Sequence, residues 1–169
     1  MKAYNQLVSD LTTNQSAAKL ATWIDTYPNQ VCLNPTLLDS YFKHAKEDSL
    51  IKIEDALSQI DKLLYFPSNN HSVDVWMSFF QFLNELEDVY ASLPDKVAAQ
   101  DLETKREAKQ IKLYERAIEN IGSTHIGAAK IWASYIDFET MRNNLAKVNL
   151  LCFKALETPM QNNTQILTK

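Results

Sequence analysis

Three histidines, two cysteines and a set of carboxylates are the side chains of this sequence that could do chemistry, and their spacing decides whether they can do it together. A structural zinc site needs four nitrogen or sulfur ligands at short, repeated spacings. His44, His71, His125, Cys32 and Cys152 have no such spacing. The two cysteines stand far apart in apolar surroundings and read as reduced, buried thiols. His125 lies between Gly122 and Gly127, a setting that invites a catalytic reading. No nucleophile or paired acid stands near it in a recognisable motif, so a turn-capping or packing role is expected. Glu139 closes an aromatic stripe and is read as a hydrogen-bond or charge partner between helices rather than a catalytic acid. Glu85, Glu87 and Asp88 read as ordinary helix-surface charges. No P-loop, nucleophile elbow or His-Glu-x-x-His motif is present. The expectation is a chain that is not an enzyme and takes no metal or cofactor.

Nucleic-acid chemistry has two candidate sources. Lys105, Lys109 and Lys112 fall on one helix face at i, i+4 and i+7, with Arg106 beside them. Such a face could touch phosphate or serve as a nuclear signal. Glu103, Glu107 and Glu115 balance it, which favours a solvated helix face. Trp76 and Trp132 could be platforms for stacked bases. Each shares a helix face with further aromatics, Phe79 and Phe82 or Tyr135 and Phe138, which favours a core position. The formal net charge is −4, and a dedicated nucleic-acid binder usually carries a basic stripe on a basic domain. RNA contact is therefore expected to be indirect or weak.

The elements that must position these residues are helices. The chain has only two glycines and five prolines in 169 residues, few for a fold built on tight β-turns. Its length suits one globular or solenoid unit. No apolar run reaches the roughly 18 residues that cross a bilayer, and Met1–Gln6 lacks the apolar core of a signal peptide; a soluble, intracellular protein is expected. Periodicity predicts a short helix over 2–11 and another over 16–27, stopped at Pro28. Asn34-Pro35 is a start signal for a helix to Glu47 that carries Leu37, Leu38, Tyr41, Phe42 and Ala45 on one face. Ser49 caps the next, with Ile53, Leu57, Ile60 and Leu64, ending before Pro67. Ser68–His71 reads as a polar loop and Ser72 as the cap of a helix bearing Val75, Trp76, Phe79, Phe80, Phe82 and Leu83. Helix is expected again from Asp95 to Ile121, with room for a break near Gln100-Asp101. Gly122–Gly127 must be a turn. A helix follows to about Arg142, then another, capped by Asn143 or Asn144, to Leu156, ended by Thr158-Pro159.

Two of these helices carry the same signature. Trp76-x2-Phe79-x2-Phe82 recurs as Trp132-x2-Tyr135-x2-Phe138, followed at once by Glu139. Downstream of each comes a second pattern: Tyr114-Glu115-Arg116-Ala117 after the first, and Phe153-Lys154-Ala155 after the second. Leu38-x2-Tyr41 aligns with both, giving spacings of 38 and 56 residues. The chain is therefore expected to be all-α, an α-solenoid of antiparallel helix pairs in about three repeats, approximately 30–66, 70–121 and 126–160. The excess length falls around residues 84–110 and calls for a longer helix pair or an exposed insertion.

The Trp-x2-aromatic-x2-aromatic helix, the Tyr114–Ala117 segment and the closing Leu156-Glu157-Thr158-Pro159 resemble the half-a-tetratricopeptide (HAT) repeat of RNA-processing proteins. Residues 113–160 most resemble the U4/U6 snRNP recycling factors, the squamous cell carcinoma antigen recognised by T cells 3 and Prp24 group. The Prp39 and Prp42 type proteins of the U1 snRNP share much of the pattern. Leu38 stands where that pattern has Trp, and Phe153 where it has Glu. The resemblance implies a nuclear, non-catalytic scaffold whose partners are proteins of the splicing machinery, with no membrane association. It makes Trp76, Phe79, Phe82, Tyr114, Glu115, Arg116, Ala117, Trp132, Tyr135, Phe138, Glu139, Ala155 and Pro159 a structural signature. Other outcomes are a TPR-like adaptor in mRNA 3′-end processing or a direct RNA-binding module. Dimerisation would belong to later repeats of the family. Nothing here resembles an RNA-recognition domain, so the chain is expected to be a fragment, a truncated product or a reduced paralogue of a longer array.

Overall fold

The computed structural model describes residues 17–121 and 127–158. Every regular element among them is helical. The expected helix over 2–11 and the glycine turn with His125 lie outside the described residues. The chain divides into two compact units, Met1–Arg106 and Glu107–Lys169.

The first unit opens with α1 (Ala17–Thr26), which buries Leu20, Trp23 and Ile24. Pro28 ends it as expected, but the chain does not then go straight to the next helix. Pro28–Leu33 forms a 3-10 turn that buries Val31. Helix α2 (Pro35–Asp48) has Pro35 in its first turn, where a missing amide costs nothing. Its five expected apolar residues, Leu37, Leu38, Tyr41, Phe42 and Ala45, are all buried. Asn34 enters that helix through its carbonyl, which accepts from the Leu37 amide at 3.1 Å. A single residue, Ser49, joins α2 to α3 (Leu50–Leu63), and its hydroxyl accepts from the Lys52 amide.

The polar stretch expected as a loop is instead a helical turn, α4 (Pro67–Asn70). Its cause is tertiary. The Asn69 side chain is fully buried and donates to the Pro28 carbonyl at 2.7 Å and the Leu63 carbonyl at 2.9 Å, while its oxygen accepts from the Cys32 amide at 3.2 Å. One amide thus joins the 3-10 turn, the end of α3 and α4, and leaves none of those buried backbone groups unmet.

Ser72 caps α5 (Val73–Ala91), the most enclosed helix of the first unit. It buries residues all around its girth, among them Trp76, Phe79, Phe80, Phe82 and Leu86, as a central helix must. Phe42 of α2 stacks on Phe82, with centroids 4.3 Å apart and planes 10° from parallel, and meets Phe79 edge-on. Helix α6 (Lys96–Ile121) starts on Asp95, whose carboxylate accepts from the Val97 and Ala98 amides. It runs unbroken through Gln100-Asp101. With 19 and 26 residues, α5 and α6 are the two longest described helices, so the extra length around residues 84–110 goes into helix rather than an inserted loop.

The second unit contains the rest of α6 with α7 (Ala128–Met141) and α8 (Leu145–Glu157). Two asparagines divide the work at the α7–α8 corner. Asn143 takes a left-handed backbone, φ 57°, which asparagine tolerates better than most residues. The Asn143 and Asn144 amides return to the Thr140 and Glu139 carbonyls, the Schellman pattern that closes a helix. Asn144 then caps α8, accepting from the Lys147 amide. Of the two residues proposed from sequence, Asn144 is the cap and Asn143 makes the reversal.

Replacing Asn69 by Ala removes three hydrogen bonds at this corner, although the Leu63 carbonyl keeps the Phe66 amide at 3.2 Å. A loss of about 2–3 kcal/mol of unfolding free energy is expected in urea titration. A loss below about 0.5 kcal/mol would remove the corner's dependence on this side chain.

Candidate interaction surface

The signature residues fall into an aromatic cluster in each unit, and both clusters are closed to solvent. In the first unit Trp76 and Phe79 are fully buried and Phe82 nearly so. Trp76 packs edge-on to Phe79 and stacks on Phe80, and its indole N–H donates to the Asn70 carbonyl at 2.9 Å. With one face covered and its only donor used, Trp76 offers no platform to a nucleic-acid base.

In the second unit Tyr114 lies on Tyr135, with ring centroids 4.7 Å apart and planes 4° from parallel. Phe138 leans on Tyr114 at 5.5 Å. Trp132, Ala117 and Ala155 are also buried. The Tyr114 hydroxyl is bonded to Ser134 Oγ at 2.8 Å. Pro159 lies outside the described residues.

Glu139 is almost fully buried, unusual for a carboxylate. It is paired by Arg142, whose guanidinium donates at 3.1 Å, and by the Asn144 side-chain amide at 2.9 Å. Arg142 also reaches Glu107 at 3.3 Å and sits over the Phe138 ring at 5.3 Å. A carboxylate so paired is placed as an anchor of the α7–α8 corner. Glu115 is exposed and bonded to Lys147 at 3.2 Å. The Lys147 ammonium lies 5.7 Å over the Tyr135 ring. Burial works against that ammonium, but the Glu115 hydrogen bond and the charges of Tyr135 and Glu115 outweigh it, and its pKa ends above the usual lysine value. Arg116 is half-buried, and its carbonyl accepts from the Asn120 amide side chain.

The basic cluster does not form one free face. Lys105 is bonded to Asp101 at 2.6 Å, and Lys109 is half-buried with an interaction of its own. Lys112 is exposed. Arg106, expected on the solvated side, is 3 % exposed: its Nη1 donates to the Leu83 carbonyl at 3.2 Å and its Nε to Glu103 at 2.8 Å. Composition could not reveal that burial. The one available signal was Glu103 three residues earlier, the spacing at which a carboxylate can accompany an arginine inward.

Elsewhere the chemistry-bearing residues are dispersed. His44 lies 3.9 Å from Glu47, and the His71 ring is bonded to the Pro67 carbonyl. Cys32 and Cys152 are free thiols, each half-buried and in separate units. No group of three or more metal-ligating side chains occurs among the described residues.

Surface relief in the first unit includes two concavities. A polar cleft of about 390 Å³ is lined by Asp25, Tyr41, His44, Asp48, Lys52 and Asp55. A second concavity of about 590 Å³ lies at the end of α3, where Pro28, Tyr65 and Phe66 meet Asp25, Asp61 and Lys62. Sequence periodicity gave no hint of the second, because Tyr65 and Phe66 follow the last turn of α3 and belong to no helix face.

The family model described as the PRP39 N-terminal HAT repeat matches residues 1–169. No curated protein and no solved structure matches the chain. Of the two splicing families that the sequence resembles, the matching model is that of Prp39; the preference for the U4/U6 recycling factors has no such support.

Burial raises the pKa values of Tyr41, Tyr90, Tyr114 and Tyr135 above the ordinary tyrosine value of 10.0. The folded state then holds phenolic protons that the unfolded chain releases, so stability is full below pH 10 and falls as pH rises past it. The thermal midpoint should drop steadily above pH 10, and most tyrosinate absorbance should appear together with loss of helix. All seven tyrosines ionising freely while the helix signal persists would contradict the packing of these rings.

Proposed function

The chain belongs to the PRP39 N-terminal HAT repeat family, and from that premise we propose that it is a non-catalytic scaffold for protein–protein contacts in pre-mRNA splicing, acting in the nucleus as a U1 snRNP-associated component. The whole-length family match carries this reading. The packing supports it physically. The aromatic signature is spent on holding helices together, so recognition falls to the outward sides of the helices and the corners between them. Proteins are the partners this surface suits. The formal charge of −4 and the local pairing of Lys105 offer little to a phosphate backbone, so any RNA contact is indirect or weak.

The second reading is the U4/U6 recycling scaffold, which rests on the sequence resemblance of residues 113–160. The two separate in one experiment. Tagged chain is incubated in nuclear extract and captured with and without nuclease, and the bound proteins and RNAs are sequenced. Recovery of U1 proteins that survives nuclease is the expected result. Recovery of U4/U6 components instead would move the assignment to the recycling factors. Recovery of neither would overturn the splicing role. RNA retained through direct, steeply salt-dependent binding would overturn the protein-scaffold mechanism.

A further inference from the structure

The polar cleft of about 390 Å³ lies where three helices of the first unit converge. Each lines it with residues at i, i+3 and i+7: Ala18 to Asp25 on α1, Tyr41 to Asp48 on α2, and Lys52 to Gln59 on α3. Residues so spaced share one helix face, so the cleft is walled by regular structure rather than by loops. Tyr41 is its unusual member. The residue is only 9 % exposed, yet its hydroxyl bonds to none of the described residues and is not sealed from solvent. A buried phenol usually finds a partner for its O–H, and this one opens onto the cleft instead. Burial, then the charge of Asp55, then that of Asp25 raise its pKa above the ordinary tyrosine value. Carboxylates from α1 and α3 thus act on a hydroxyl from α2.

We propose that this cleft receives the arginine side chain of a partner protein, its guanidinium held by Asp25, Asp55 and the Tyr41 hydroxyl. The proposal rests on the scaffold reading for its biological setting. Three features select this occupant. First, the lining carries the carboxylates of Asp25, Asp48 and Asp55 against the ammonium groups of Lys52 and Lys62, a negative balance that favours a cation. Lys52 stands 3.8 Å from Asp55 with both side chains more than half exposed, a pair that contributes little in water and yields to a better donor. Second, acceptor capacity is left over. One Asp25 oxygen accepts from the Gln59 amide at 3.0 Å, and the other is open to a further donor. The Tyr41 hydroxyl can accept as well. Third, these acceptors come from three different helices. A guanidinium spreads five donors over a rigid plane and can reach several acceptors at once, whereas an ammonium is a compact, strongly hydrated point charge. Ala18 and Ala21 present only methyl groups on the α1 wall, which leaves room for the apolar stem of the arginine. A metal ion fits less well, since no group of three or more metal-ligating side chains occurs among the described residues.

The test uses the whole chain, labelled with nitrogen-15, and the peptide acetyl-Gly-Arg-Gly-amide. Controls replace the arginine by citrulline, which keeps the shape and loses the charge, or by lysine. Backbone amide shifts of Ala21 and Ser58, which line the cleft, are expected to move saturably with the arginine peptide. The citrulline peptide should leave them in place, and the lysine peptide should bind several-fold more weakly. Tyr41→Phe should weaken arginine binding about tenfold, as loss of a hydrogen bond to a charged group does. The deleted hydroxyl has no bond within the described residues, so the thermal midpoint at neutral pH should hold and report an intact fold. Asp25→Asn with Asp55→Asn, both on exposed side chains, should abolish saturable binding while the helix signal stays. Equal binding of the citrulline or lysine peptide, an unchanged affinity in Tyr41→Phe, shifts confined to amides away from the cleft, or no saturation up to tens of millimolar peptide would each overturn the proposal. Because the titration needs only the chain and the peptide, its failure leaves the nuclear-extract result standing, and the converse also holds.

Discussion

In each unit a buried polar side chain whose bonding groups must be met fixes a corner between helices. In the first unit that side chain is Asn69, which joins its own α4 to the 3-10 turn and the end of α3 through partners 6 to 41 residues away in sequence. In the second it is Glu139, held by Arg142 and Asn144 at the corner between α7 and α8. Apolar packing alone is forgiving: an aromatic helix can rotate or slide on its neighbour at modest cost. A buried amide or carboxylate is not forgiving, because displacing it by a few ångströms leaves desolvated groups without partners. The aromatic clusters supply most of the burial, and these two side chains fix where the helices turn.

The sequence carried some of this plainly and the rest not at all. Helices α2 and α5 were legible because Pro35, Ser49 and Ser72 punctuate apolar residues at helical spacing, and local signals of that kind need no tertiary context. The signature residues Trp76 and Trp132 were legible as core for the same reason, since each shares a face with other aromatics. Helix α4 was hidden, because Ser68-Asn69-Asn70 has the composition of a loop and becomes helical only through acceptors elsewhere in the chain. Arg106 was hidden too. Its neighbours in sequence are charged, and its burial depends on the Leu83 carbonyl, 23 residues away. Tyr65 belonged to no periodic pattern, so nothing in the sequence separated it from an ordinary exposed ring. What escaped was long-range pairing and surface shape, neither of which leaves a local trace.

That division has a consequence for recognition. The described surface charges are largely neutralised at short range: Lys105 by Asp101, Lys46 by Glu85, Arg142 by Glu107 and Glu139, Lys147 by Glu115. Fields from such pairs cancel within a few ångströms, and at physiological ionic strength the remainder is screened beyond about 8 Å. Long-range steering of a polyanion therefore has little to act on. Discrimination between partners must come from contact, where shape and apolar area decide. A fold whose aromatic residues are nearly all committed to its interior then depends on the few it leaves outside. Tyr65 is one of these, and Phe153 on α8, 69 % exposed, is another.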